Sequence, residues 1–277
     1  MKAYNPSLPK KGLKGIGNMK HKMAHSWMFR VGENKGTVDF GWSPIHTHIY
    51  LAGGIICLLI GLWVYLSYPH LIFIPLLMLL LSINIFFGYY IHLSIRKPEY
   101  MTLPFVDLFT SENDLILDIG CGAGRTTLAL GKVMKNRRIV AFDRFDASYI
   151  EGGGRALLEQ NLKIAGISDK ADIVQGDATQ LEFEDGKFDA AISTYALDHT
   201  GKHKLAILKE VNRVLKPKGR FLLVVVVPSL STFAVMNILC LILTSKRKWR
   251  ELFKQSGFNI IDEGIINSGS YFLLEKI

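Results

Sequence analysis

Charge is what this chain most conspicuously lacks between Ile49 and Ile95, where 47 consecutive residues include no Asp, Glu, Lys or Arg. Cysteine is scarce too, with only Cys57, Cys121 and Cys240, widely spaced. Three scattered thiols offer neither a disulfide framework nor a zinc-ligand spacing, which excludes a disulfide-stapled domain and fits a reducing cytoplasm. Acidic residues are outnumbered, 24 against 33 Lys and Arg, for a formal net charge of +9. No internal repeat is present. The N-terminal segment does not read as a cleavable signal, because its apolar stretch begins too late and runs too long.

The uncharged run is too long for one membrane span and suits two, at about 20 residues per helix. The pattern predicts helices over 47–67 and 71–95, joined at Tyr68-Pro69-His70; a buried core helix pair is the alternative. Residues 1–48 carry Lys2, Lys10, Lys11, Lys14, Lys20, Lys22, Arg30 and Lys35 against Glu33 and Asp39, and Arg96-Lys97 closes the far end. Positive flanks stay on the cytoplasmic side. The expectation is an integral membrane protein with two spans, both termini cytoplasmic and the hairpin tip outside. A basic segment beside a membrane hairpin suits anionic lipid headgroups better than nucleic acid, and no nucleic acid partner is expected. His46 and His48, lacking a nearby cysteine or carboxylate, read as interfacial residues rather than metal ligands, and no metal is expected. The chain divides into a basic segment (1–46), the hairpin (47–97) and a third region (98–277).

In that third region Leu115-Ile-Leu-Asp-Ile119 leads to glycines at 120, 122 and 124 and then to a helical pattern. This is a buried strand delivering its carboxyl end to a ligand, with a helix N-terminus just beyond. The spacing is G-x-G-x-G. It lacks the third glycine position of the dinucleotide fingerprint, which points to a different adenosine-bearing cofactor. Strand and helix signals then alternate: helix 126–134, strand 138–142 ending at Asp143, helix 155–164, strand 171–174 before Gly176-Asp177, and strand 188–193. Helix 204–214, a turn at Lys216–Gly219, strand 220–227, helix 248–255 and a closing pair at 260–266 and 271–276 complete the series. That order predicts an α/β doubly wound, Rossmann-like sheet with its ligand at the strands' carboxyl ends.

The segments LILDIGCGAGR, VAFD, VQGDATQLEFEDGKFDAAIS and EVNRVLKPKGRFLLV together resemble class I S-adenosylmethionine (SAM) dependent methyltransferases, in the branch holding the ubiquinone/menaquinone and sterol enzymes. The resemblance covers about residues 105–277 and implies a seven-stranded sheet with SAM as cofactor. It implies that Asp118, Gly120, Gly122 and Gly124 surround the methionine part. Asp143 accepts hydrogen bonds from the ribose hydroxyls, a role a carboxylate performs well. Asp177 meets the adenine amino group beside the backbone of Ala178. Cys121, Arg144, Gly176 and Thr194 complete the implied cofactor set. One departure stands out. Arg144–Gly154 ends in three glycines where relatives begin a helix, so a flexible loop is expected there, leaving open whether Arg144 or Asp146 reaches SAM.

Methyl transfer is an in-line displacement in which the protein chiefly aligns the reactants. The loop Ser193–His203 offers Tyr195, Asp198 and His199 as candidate catalytic residues. Histidine titrates near neutrality, so His199 suits a general base, with Asp198 orienting it or simply capping the following helix. A second uncharged run, Phe221–Leu243, is divided by Pro228. Its second part, 230–243 (229–244 at its widest), is too short to span and predicts an interfacial, re-entrant or buried helix, followed by the basic, Trp-bearing 246–250. The resulting expectation is a membrane-bound methyltransferase whose partners are membrane lipids and a lipophilic acceptor: a quinone precursor, an isoprenoid or sterol-like lipid, or a lipid headgroup. The alternatives are a membrane-tethered methyltransferase of a small hydrophobic or thiol/phenol metabolite, and a non-catalytic SAM-binding membrane sensor.

Overall fold

Parallel strands that alternate with helices must cross over the sheet, and here the crossovers reverse direction at the sheet's centre. The computed structural model describes residues 38–40, 44–95, 108, 114–134, 138–148, 150, 152–266 and 269–277. The predicted basic segment 1–46 and the Arg96-Lys97 flank fall almost wholly outside these residues. Among the described residues seven strands form one sheet in the order β3-β2-β1-β4-β5-β7-β6. They are β1 (Ile116–Ile119), β2 (Ile139–Asp143), β3 (Ala171–Gln175), β4 (Phe188–Thr194), β5 (Leu215–Val225), β6 (Phe258–Ile266) and β7 (Gly269–Lys276). Only β7 runs antiparallel to its neighbours. Strand order reverses between β1 and β4, which opens a crevice at their carboxyl ends.

The helices are α1 (Pro44–Ser67), α2 (Phe73–Ile95), α3 (Arg125–Val133), α4 (Arg155–Ala165), α5 (Lys204–Val214), α6 (Leu230–Met236) and α7 (Lys246–Gln255). Their apolar faces follow from spacing. Ile207, Leu208, Val211 and Val214 of α5 and Trp249, Leu252 and Phe253 of α7 are all buried, at helical intervals. Ser245 starts α7 as an N-cap, its hydroxyl accepting from the Lys248 amide at 3.2 Å. β1 is buried throughout, as a strand covered on both faces must be.

Two boundaries differ from the expectation. The turn at Lys216–Gly219 lies within β5: pairing with β4 jumps from Leu215 to Arg220, and Lys218 takes a left-handed backbone (φ 61°). The stretch predicted as one helix over 230–243 breaks after Met236 into 3₁₀ turns over Asn237–Ile242. Asparagine is a poor helix former, and 3₁₀ geometry is confined to short pieces of this kind.

Helices α1 and α2 pair along their lengths, and α6 lies against α2. Gly54 admits the Phe86 ring, which would lie 2.5 Å from any Cβ there. The Ser82 hydroxyl donates to the Gly54 carbonyl at 2.8 Å. Their apolar windows, His48–Ser67 and Phe73–Ile91, are long and apolar enough to cross a membrane. At the tip Trp63 packs edge-on to Tyr68, 5.9 Å between ring centres. His48 is exposed near Tyr89, while the His46 side chain lies outside the described residues.

Phe253 is fully buried between Trp249 (5.8 Å, stacked) and Phe272 (5.0 Å, edge-on). Phe253→Ala should therefore cost about 3–5 kcal/mol of stability in chemical denaturation. A loss below about 1 kcal/mol would show that α7 is not integral to the core.

Candidate active site

β1, β2 and β4 end at a cavity of about 750 Å³, within the range that holds a cofactor-sized ligand. Its wall includes Gly120, Cys121, Gly122 and Ala123 from the glycine turn, with Arg125 and Thr126 from the first turn of α3. Gly120 has a left-handed backbone (φ 72°), and a Cβ there would sit 2.3 Å from that of Ala196. Only glycine lets the loop after β4 close on this turn.

Asp143, at the end of β2, is the organising carboxylate. One oxygen accepts from the Gly122 amide and the other from the Phe145 amide, each at 2.8 Å. Burial raises its pKa, against the lowering effect of those two amides. A carboxylate has about four acceptor sites, so lone pairs remain for a diol. Asp177 lies across the cavity in a turn of its own, accepting from the Thr179 amide and hydroxyl, both at 2.8 Å. These bonds, the amide first, lower its pKa, and nearby Arg144 and His203 act in the same direction. Gly176 and Ala178 flank it on the wall. Arg144 pairs with Asp146 at 2.7 Å, and both line the cavity.

The triple glycine does not make the loose loop expected. Ala147 and Gly153 form an antiparallel bridge, and a Cβ on Gly153 would meet the Phe145 carbonyl oxygen at 2.0 Å. Gly154 then caps α4 with its backbone against Gly122 and Ala123. Glycine is used here to bring two backbones together, and the result is a tight turn.

Three expected site residues stand behind the wall. Gly124 caps α3, where a Cβ would strike Leu158 at 2.3 Å, so it sets the approach of α4. Asp118 is buried under the turn, with one oxygen accepting from the Thr127 hydroxyl at 2.6 Å. Its other oxygen has no partner among the described residues. Asp198 also turns inward: one oxygen accepts from the Val226 amide at 3.3 Å, past the end of β5, and does not cap α5. Burial raises its pKa, partly offset by nearby His199.

His199 and Tyr195 do line the cavity. The Tyr195 backbone is left-handed (φ 54°), and its ring passes close to Gly269 on β7. Lys204 donates to the carbonyls of Asp198 (3.3 Å) and Gly201 (3.0 Å), tying together the 3₁₀ turns Leu197–His199 and Gly201–His203. At the floor the hydroxyls of Thr126 and Thr194 share a 2.6 Å hydrogen bond. Sequence reasoning missed Thr126, Arg125, His203 and Phe40 as wall residues. The first two adjoin the glycine turn and His203 closes the singled-out loop, so proximity could have flagged them. Phe40, far off in sequence, carried no such signal.

The arrangement suits SAM. The Asp143 carboxylate, with lone pairs to spare, faces a polar nucleotide, and positive charge relieves the buried Asp118 behind it. Residues 117–223 match the family described as a methyltransferase domain. A sterol 4-C-methyltransferase of Caenorhabditis elegans is 33% identical over 112 residues, 40% of this chain and 31% of that protein. A demethylmenaquinone methyltransferase of Staphylococcus aureus is 36% identical over 104 residues, 37% of this chain and 39% of that protein. The chain thus spans about a third of the length of these curated relatives. A SAM-dependent methyltransferase structure from Methanosarcina mazei superposes with a TM-score of 0.52 at 22% identity, covering 64% of this chain and 99% of that one. It shares the fold. Sheet, glycine turn and strand-end carboxylates together define a Rossmann-like methyltransferase domain. Residues 117–223 are thus a methyltransferase domain of the SAM-dependent kind, which implies SAM as its cofactor.

Two measurements follow. Asp143→Ala should weaken SAM binding at least about 100-fold in calorimetry, given two or more lost charge-assisted bonds; parental affinity would remove Asp143 from the site. Burial, chiefly, lifts the Asp118 pKa from 3.8 to about 7. The folded protein then binds the extra proton between those values, so stability is full below the window and falls as pH rises through it. Asp118→Asn should flatten that fall by a few kcal/mol, read from denaturation midpoints of the ligand-free protein at about pH 4 and 8. An unchanged slope would mean that Asp118 ionises freely.

Proposed function

We propose that the protein is a membrane-bound SAM-dependent methyltransferase acting on a lipophilic acceptor that reaches the site from the bilayer. One observation carries this reading: the apolar element α6 leaves β5 where the loop after β4 closes on the cavity. The Asp198–Val226 hydrogen bond joins that loop to the root of α6. Leu230 (91% exposed), Phe233, Leu241 and Ile242 present apolar side chains outward, and α6 lies against α2. Apolar side chains of this stretch thus lie between the hairpin and the loop that borders the cavity. Only 17% and 11% of the two apolar windows is buried, the opposite of core helices in a soluble protein. A lipid bilayer satisfies such surfaces. The acceptors named for the two curated relatives, a sterol and demethylmenaquinone, are themselves lipophilic.

When bound, SAM supplies an electrophilic methyl group on a sulfonium. The chain's own residues align an acceptor with it, a contribution worth several kcal/mol. His199, on the cavity wall, takes the acceptor's proton where the nucleophile must lose one. Asp198 acts through the backbone, holding the loop that presents His199. The catalytic domain lies on the cytoplasmic side, the side that the Lys- and Arg-rich flanks of the hairpin sequence favour.

Membranes containing the protein, incubated with methyl-labelled SAM, should yield a methylated species in the lipid fraction by mass spectrometry. A Leu241→Ser/Ile242→Ser double variant should lose about tenfold or more of that turnover while methylating a short-chain soluble analogue at the parental rate. Label confined to water-soluble products, unaffected by the double variant, would favour the tethered small-metabolite enzyme. Retained SAM binding with no methylated product in any fraction would favour the sensor.

A further inference from the structure

Residues 38–40, immediately before the hairpin, are packed into the methyltransferase domain. Val38 and Phe40 are buried against Cys121, Ala123, Leu128 and Leu158. The Asp39 amide donates to the Asn161 side-chain carbonyl at 2.9 Å, and the Asn161 amide group donates back to the Asp39 carbonyl at 2.6 Å. The same amide group donates to the Ala123 carbonyl of the glycine turn at 2.8 Å. Asn161 is 1% exposed and meets these partners with both ends of its amide. A buried amide held so completely fixes the backbones it touches. The Arg125 guanidinium lies 4.0 Å from the centre of the Phe40 ring, and both residues line the cavity. Helix α1 begins at Pro44, four residues after Phe40.

We infer that residues 38–40 form a wall of the cofactor site, with Asn161 as the positioning residue that clamps them to the glycine turn. Cofactor binding and the start of the membrane hairpin are thereby mechanically joined. A ligand in the cavity touches Phe40 and Arg125 and so stabilises the strap; a seated strap in turn pre-forms the site. The bland alternative is a tail that happens to cover α4. That alternative accounts for the buried Val38, but not for a side chain that binds strap and glycine turn through one amide group. The inference rests on the reading of the cavity as the SAM site.

Hydrogen exchange on the full-length protein in nanodiscs, with and without S-adenosylhomocysteine, tests both. The amides of 38–40 should slow about fivefold or more with ligand, together with those of 120–124 and 143–145. Protection at 120–124 and 143–145 with none at 38–40 overturns the inference alone. No protection at any of the three removes the cavity reading, and the inference with it. In calorimetry, Asn161→Leu and Phe40→Ala should each raise the S-adenosylhomocysteine Kd about tenfold at parental stoichiometry. Reduced stoichiometry with an unchanged Kd in both would mean a purely structural role and would overturn the inference.

Discussion

Everything around the cavity depends on how closely the backbone of the glycine turn can be approached. Ala196 comes down on Gly120, and Gly154 lies against Gly122 and Ala123. Leu158 fills the place a side chain on Gly124 would take, and Asp143 binds the Gly122 amide. Asn161 takes the next carbonyl, that of Ala123. Loop, helix and strand end thus meet around five residues with almost no side chain between them. The cavity is what this convergence leaves open. Because the turn's amides are held by so many neighbours, the site is formed before any ligand arrives, which limits the ordering cost of binding.

That convergence has an electrostatic consequence. Asp118 is buried and Asp143 and Asp198 half-buried, and desolvation raises the pKa of each. Nearby Asp143 adds to the cost of ionising Asp118, after desolvation. A site of desolvated carboxylates is destabilised while empty and relieved by positive charge. A sulfonium carries that charge without hydrogen-bond donors of its own. The cavity wall itself mixes both signs, with Asp143, Asp146 and Asp177 beside Arg125, Arg144 and Lys202.

Much of this was legible in the sequence, and the reasons are local. The G-x-G-x-G spacing, the strand-end positions of Asp143 and Asp177 and the alternation of strands with helices all follow from short-range pattern, and the sheet order agrees with them. What could not be read depends on which way a side chain faces. Asp118 and Asp198 carry the same carboxylate as Asp143, yet face inward because Thr127 and the Val226 amide lie behind the wall. Three consecutive glycines signal either looseness or close approach, and only the nearness of Phe145 and Gly122 decides for the latter. The break after Met236 likewise has no strong breaker residue to announce it.

The strap at 38–40 bears on how the hairpin should be regarded. A membrane anchor joined by a free linker would leave the catalytic domain indifferent to its removal. Here the residues just before α1 are pinned by Asn161 and contribute Phe40 to the cavity wall. Deleting 1–97 would remove part of the cofactor site along with the hairpin, so lost activity in such a truncation could not be assigned to the membrane. Shortening α1 and α2 while keeping 38–40 separates the two contributions. From the opposite side, α6 lies against α2 and is rooted beside Asp198. The hairpin thus approaches the cavity along two routes, through its leading strap and through α6 beside the loop after β4.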